Sequence, residues 1–261
     1  MSNNEITQNK IEERSLERVK EVIRQNDKKC YFGLSVPDIE EFKELLKIIE
    51  PNPSSNKFPD FICRKGFLEH FAVTSSSEGK KGAIHKIEKS KFESKSRKIR
   101  KNLSSKTQKV KNEFLYPEHS YKDLINSFKK NFVNHIKSLE KYDPEEKIGI
   151  FLIDYADDGA LSMAELSLEG VNGLYAGDLG RQEILDSYRL SRDKELLDWL
   201  YKFKDKIQYV IFLTNTNVEI IKIDNIPNVQ TLLPYKYAIS SNFGTKLTEY
   251  WSRIGCVKNY V

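Results

Sequence analysis

Residues 57–74 read KFPDFICRKGFLEHFAVT. Short runs of aromatic and β-branched residues flank Arg64–Gly66, so the spacing predicts strands over about 58–63 and 67–74 joined by a tight turn. Alternation along the second strand sets Phe67, Glu69, Phe71 and Val73 on one face and Leu68, His70, Ala72 and Thr74 on the other. Glu69 therefore shares an apolar face, where a carboxylate costs free energy unless something pairs with it. If the two strands form a hairpin, Asp60 and Glu69 can reach one place. Two hard carboxylate oxygens suit Mg2+ or Mn2+, and such an ion acidifies its bound water and neutralises charge on a phosphodiester under attack. A plainer reading of the same residues makes Pro59-Asp60 a strand start and Glu69 a solvated edge residue. His70 reads as packed or hydrogen-bonded rather than as a ligand, and His85, His119 and His135 show no metal spacing.

Upstream, Val36, Ile39, Phe42, Leu45, Leu46 and Ile49 recur at helical spacing, with Ser35 and Asp38 as a capping box and Pro51 as a stop. A charged helix is expected over about 5–27. Downstream, residues 79–111 are rich in lysine and arginine and hold only Glu88 and Glu93 against them. A strongly amphipathic helix is expected over 120–141. Ile148–Tyr155 (IGIFLIDY) has the continuous apolar character of a strand covered on both faces. A helix capped by Ser191 is expected over about 192–206, then a buried strand over 207–214 and a last one near Val218–Ile223. With the basic segment set aside, the order is αβββαβ, an α/β fold with a mixed sheet. Residues 1–34 form an N-terminal helical segment. Residues 35–261 form one α/β domain, with a basic helical insertion at about 79–142.

This order, with Pro59-Asp60 on one strand and Glu69 on the next, resembles the PD-(D/E)XK nuclease superfamily, the restriction-endonuclease-like proteins. The resemblance covers roughly residues 35–75 and 147–214 and rests on a short motif. It implies a Mg2+- or Mn2+-dependent endonuclease that hydrolyses DNA phosphodiester bonds, in restriction or phage defence, with Asp60 and Glu69 as metal ligands. It also calls for a water-orienting lysine two residues after Glu69, and Phe71 stands there. Lys80 and Lys81, in the Ser-Gly-Lys loop after the second strand, and Lys194 are candidates for a displaced lysine. The alternative is a catalytically inactive module on the same fold that binds nucleic acid or a protein. A family acid from the first core helix would be Asp38, Glu41, Glu44 or Glu50.

The substrate expectation comes from charge. Lysines and arginines bind backbone phosphates without reading sequence, and Lys86, Lys95, Arg97, Lys98, Arg100 and Lys101 crowd the basic run. Arg189 and Arg192 flank an expected helix N-terminus, where phosphates also settle. A solvated charged face and ion pairs with Asp186 and Asp193 are the respective plainer readings. Double-stranded DNA is the expected partner, and a homodimer would suit a duplex cutter. Tyr155-Ala156-Asp157-Asp158 looks like a polymerase box, but helical-looking SMAELS follows it, which argues for a supporting acidic turn. The 261 residues carry 39% hydrophobic and 31% charged side chains and a net charge of +5, which fits a globular, non-membrane protein. Cys30, Cys63 and Cys256 form no Cys-x-x-Cys pair and the start of the chain reads as no signal peptide, so a reducing, cytoplasmic setting is expected.

Overall fold

The computed structural model describes residues 3–25, 28–54, 57–76, 82–102, 109–115, 119–142, 148–155, 157–166, 184–233, 236–241 and 245–251. In chain order the first elements are α1 (Asn3–Arg24), β1 (Tyr31–Phe32), α2 (Val36–Ile48), β2 (Glu50–Pro51), β3 (Phe61–Cys63) and β4 (Gly66–Val73). Next come α3 (Gly82–Asn102), β5 (Lys109–Leu115), α4 (Tyr121–Tyr142), β6 (Ile148–Tyr155), β7 (Leu161–Leu166) and β8 (Ile184–Leu185). The last are α5 (Lys194–Tyr201), β9 (Tyr209–Leu213), β10 (Val218–Lys222), α6 (Ile226–Thr231), β11 (Lys236–Ser241) and β12 (Thr245–Trp251). Among the described residues no helix is long and apolar enough to cross a membrane.

The fold is α/β around a mixed seven-stranded sheet in the order β1-β10-β9-β6-β4-β3-β2. The expected hairpin forms: β3 and β4 are antiparallel with Cys63 opposite Gly66. Gly66 has a packing reason, because a Cβ there would meet the Ile148 carbonyl oxygen at 2.5 Å and the Leu45 side chain at 2.9 Å. β4 then pairs in parallel with β6, and β6 with β9. Ile150, Phe151, Leu152 and Ile153 are all fully buried, as the continuous apolar run requires. Their alternation divides the core in two. Phe151 and Ile153 join Phe67, Phe71, Phe128, Phe132 and Leu196 under α4 and α5. Ile150 and Leu152 join Leu68, Leu16, Val19, Phe42 and Leu45 under α1 and α2.

Several sequence expectations shift. The segment 79–142 is not uniform: α3 is followed by β5, which pairs with β12, whereas α4 belongs to the main core through Leu124, Phe128, Phe132 and Ile136. The expected order takes 148–155 as the third strand and 192–206 as the helix after it; instead Glu50–Pro51 adds a strand before the hairpin, α4 stands between β4 and β6, and β7 and β8 stand between β6 and α5. The first hairpin strand starts at Phe61 rather than 58. SMAELS is strand β7, not helix, and it pairs with β11 and β8 rather than folding back on β6. Helix α5 is capped by Asp193, whose side chain accepts from the Leu196 N–H. Ser191 instead donates its hydroxyl to buried Glu219, a partner from β10 that local sequence does not reveal. The Ser35–Asp38 capping box forms as expected.

Candidate functional site

Strand β4 outruns its hairpin partner, since β3 covers only Gly66–Leu68. Beyond Leu68 the exposed ladder groups need other partners, and side chains supply them. The His70 N–H donates to Asp60 Oδ2 at 2.7 Å. Asn131 Nδ2 of α4 donates to the Ala72 carbonyl at 3.0 Å, and the Thr74 N–H donates to Ser127 Oγ at 3.2 Å. Asp60 is thereby fastened to the strand that carries Glu69, and its own N–H donates to Glu69 Oε2 at 3.1 Å.

Asp60 and Glu69 meet, but on different terms from those expected. Glu69 is buried and projects to the α4 side, where Oε1 contacts His135 Nδ1 at 2.7 Å. Phe71, in the place of the expected lysine, lies flat against the same imidazole. On the opposite face His70 points toward α1. There a ring nitrogen of His70 and carboxylate oxygens of Asp60 and Glu12 all lie within 4.8 Å of one another. Asp154 Oδ2 is 4.0 Å from His70 Nε2 and accepts from Ser15 Oγ at 3.4 Å. A cleft of about 250 Å3 opens onto Glu12, Glu13, Lys57, Asp60 and Glu69.

Burial, then the nearby Glu69 carboxylate, pushes the Asp60 carboxyl up to about 8, and Glu12 adds to the rise. Burial and crowding thus disfavour the ionised Asp60 carboxyl, and a divalent cation would favour it. The donor set fits such an ion: two carboxylates and an imidazole, from α1, from the residue before β3 and from β4, at spacings that small side-chain rotations would close.

No protein-family model matches the chain, and no curated protein or solved structure matches it either.

The remaining sequence candidates disperse. Lys80 and Lys81 lie outside the described residues, and Lys194 opens α5, away from the residues that line the cleft. Lys57 lines the cleft instead, a lysine that no sequence pattern marks. Lys86 lies on α3, and Lys95, Arg97, Lys98, Arg100 and Lys101 are exposed along it. Arg189 is half-buried, and its positive charge eases the burden on the buried Glu219 carboxylate, whose pKa burial raises. Arg192 sits in the short turn before α5. Asp38 pairs with Lys222 at 2.9 Å and is not part of the cluster.

The acidic turn after β6 serves structure. Asp157 is 1% exposed, and its Oδ2 accepts from the Ser75 N–H at 2.9 Å and from Thr74 Oγ1. Ser75 Oγ in turn contacts His119 Nδ1 at 2.8 Å and Tyr155 Oη at 2.9 Å. Serine and aspartate both approach the same ring nitrogen, since Asp157 Oδ2 is 3.6 Å from Nδ1. A nucleophile triad needs the two on opposite nitrogens, so this is a buried fastening between β4 and β6.

Three residues of the site are not evident from sequence. Glu12 sits in a helix whose inward stripe runs Glu12, Ser15, Leu16, Val19, Ile23, polar at one end and apolar at the other. That change along one stripe is the available signal. His70 does stand opposite Glu69, as alternation predicts, but that face is the one α1 closes with an acid. His135 follows Ser127 and Asn131 at four-residue intervals, one polar line on an otherwise apolar helix face.

Proposed function

We propose that this protein is a metal-dependent nuclease that hydrolyses DNA phosphodiester bonds at the Asp60 cleft. The observation that carries the proposal is the convergence of Glu12, Asp60 and buried His70, with Glu12, Asp60 and Glu69 lining a cleft open to a substrate. The run α2-β2-β3-β4-α4-β6, with Asp60 just before β3 and Glu69 on β4, supports reading the core as restriction-endonuclease-like.

In this reading Glu12, Asp60 and His70 hold the ion. When bound, it supplies an acidified water and charge neutralisation at the phosphate. Glu69 keeps Asp60 in place through the Asp60 N–H and is itself held by His135 on the α4 side. Lys57 stands at the cleft as the cation nearest to the missing lysine's task. The exposed basic face of α3 holds backbone phosphates.

The second reading is a binding module that has lost catalysis. Phe71 favours it, because a buried phenyl ring cannot orient water. Plasmid and single-stranded DNA incubated with Mg2+ or Mn2+ decide between the two. Cleavage by the wild type, lost in Asp60→Asn and Glu12→Gln with folding intact, establishes the nuclease. Salt-sensitive binding with no cleavage of DNA or RNA establishes the module.

A further inference from the structure

The metal site proposed above contains a donor that Mg2+ seldom takes. Magnesium prefers all-oxygen, near-octahedral surroundings and keeps much of its water. An imidazole nitrogen favours first-row transition ions instead, and affinity there rises along the series from Mn2+ toward Cu2+. Resting on the metal-dependent reading, we propose that His70 makes the Glu12–Asp60–His70 group select a transition ion, Mn2+ or Co2+ in kind, over Mg2+.

The placement of His70 supports this. It follows Glu69 on β4, so strand alternation turns its ring away from Glu69 and Phe71 and onto the face that carries Leu68, Leu152 and Asp154. The ring is 2% exposed, so it has little access to bulk water. It lies within 4.8 Å of oxygens on two carboxylates from different elements. Metal–ligand bonds of about 2.1 Å put two ligands on opposite sides of one ion about 4.2 Å apart. Closure therefore asks only small rotations of side chains already facing one another.

Asp154 stands behind the ring, beyond hydrogen-bond distance as placed but near enough to reach it by a small rotation. A carboxylate behind a ligating histidine fixes its tautomer and raises its basicity. Asp154 Oδ2 stands 4.0 Å from Nε2, and Ser15 holds that same oxygen from α1. One helix thus delivers the ligand Glu12 and, about one turn on, Ser15 to this neighbouring acid. The main chain of His70 is tied to Asp60 as well, so the two ligands move as a unit. A buried histidine paired with acids for stability alone would need none of this agreement, and it would show no preference among divalent ions.

The full-length protein, freed of metal, tests the proposal by equilibrium titration with Mg2+, Mn2+ and Co2+. Wild type is expected to bind Mn2+ or Co2+ about tenfold or more tightly than Mg2+. His70→Asn is expected to lose that preference while its Mg2+ affinity stays within about threefold of wild type. Pulsed electron paramagnetic resonance of the Mn2+-loaded wild type is expected to show nitrogen coupling from a ligated imidazole, a result that depends on no variant folding. Equal affinity for Mg2+ and Mn2+, a preference that survives His70→Asn, or absence of nitrogen coupling overturns the selection by His70 and leaves cleavage untouched. Selective, His70-dependent binding without cleavage overturns the nuclease and leaves the selection standing. A protein that binds no divalent ion overturns both.

Discussion

His135 lies flat on Phe71, with ring centroids 4.4 Å apart and planes 10° from parallel, while its Nδ1 contacts Glu69 Oε1 at 2.7 Å. The phenyl ring that replaces the expected lysine is therefore a support for an imidazole delivered by α4. Phe71 is itself buried against Phe132 and Phe151. Restoring the lysine by Phe71→Lys would place an ammonium in this aromatic stack and remove a large apolar side chain. The expected cost is about 2 kcal/mol or more, with no gain in cleavage. Urea denaturation beside the plasmid assay checks both, and a faster variant of normal stability would refute the supporting role.

His135→Ala removes the other half of the stack and leaves one oxygen of a buried carboxylate without its partner. An unmet group of this kind costs about 1–3 kcal/mol. Glu69 also braces the ligand Asp60 through its N–H, so loosening Glu69 is expected to lower activity by up to about 10-fold. His135→Gln, which can still donate to Glu69, should recover much of both. Recovery of stability without activity would give His135 a role beyond holding Glu69.

Asp60 and His119 contribute to the pH dependence of stability with opposite sign. Burial and neighbouring acids raise Asp60 from 3.8 to about 8, so the metal-free folded protein holds a proton that the unfolded chain has released. Its stabilising contribution is full below about pH 4 and is lost as pH rises through about 8. Burial lowers His119 from its ordinary 6.5. Its contribution is full above that value and is lost as pH falls through the lower, folded value. Denaturation of the metal-free protein between pH 5 and 9 should show the alkaline loss in wild type and a flatter curve in Asp60→Asn. The same alkaline slope in both would mean that Asp60 is ionised in the folded protein.

The hairpin and the buried strand β6 are legible because period-two alternation and a tight turn are local signals, and the residues that make them also pair there. The approach of Asp60 to Glu69 follows from the hairpin alone. What alternation cannot state is which helix closes each face. His70 reads as packed because alternation turns it away from Glu69, and only the docking of α1 against β6 and β9 brings Glu12 to that face, with Arg18 held by the Thr214 carbonyl. The cap of α5 moves from Ser191 to Asp193 for the same reason. Both residue types can cap, and a distant buried glutamate claims the serine. Strand β7 reads as helix because its partners, β11 and β8, lie far along the chain.

Binding and cleavage should separate along α3. Lys95, Arg97, Lys98, Arg100 and Lys101 are exposed on that helix. Replacing them with glutamine should weaken DNA binding at low salt. The slope of log affinity against log salt should become shallower by about 0.9 for each phosphate that is no longer neutralised. Asp60→Asn should leave that slope unchanged. A slope unaffected by the five substitutions would place the phosphate-binding surface elsewhere.

Asp157, just after β6, and Asp60, just before β3, are acids with little access to water, yet opposite outcomes are expected from the same substitution. Asp157 binds the Ser75 N–H and the Thr74 hydroxyl, and through Ser75 it is tied to His119 and Tyr155. Asp157→Asn brings an amide where only acceptors fit, at a cost of about 1–3 kcal/mol. Divalent-ion affinity should stay at the wild-type level, because no atom of this network belongs to the Glu12–Asp60–His70 group. Asp60→Asn should remove the ion affinity and, above about pH 8, stabilise the metal-free fold by deleting a buried charge. Thermal melts and Mn2+ titrations on the two variants read both quantities at once. Loss of ion binding in Asp157→Asn would bring the acidic turn into the site and end its assignment as a fastening between β4 and β6.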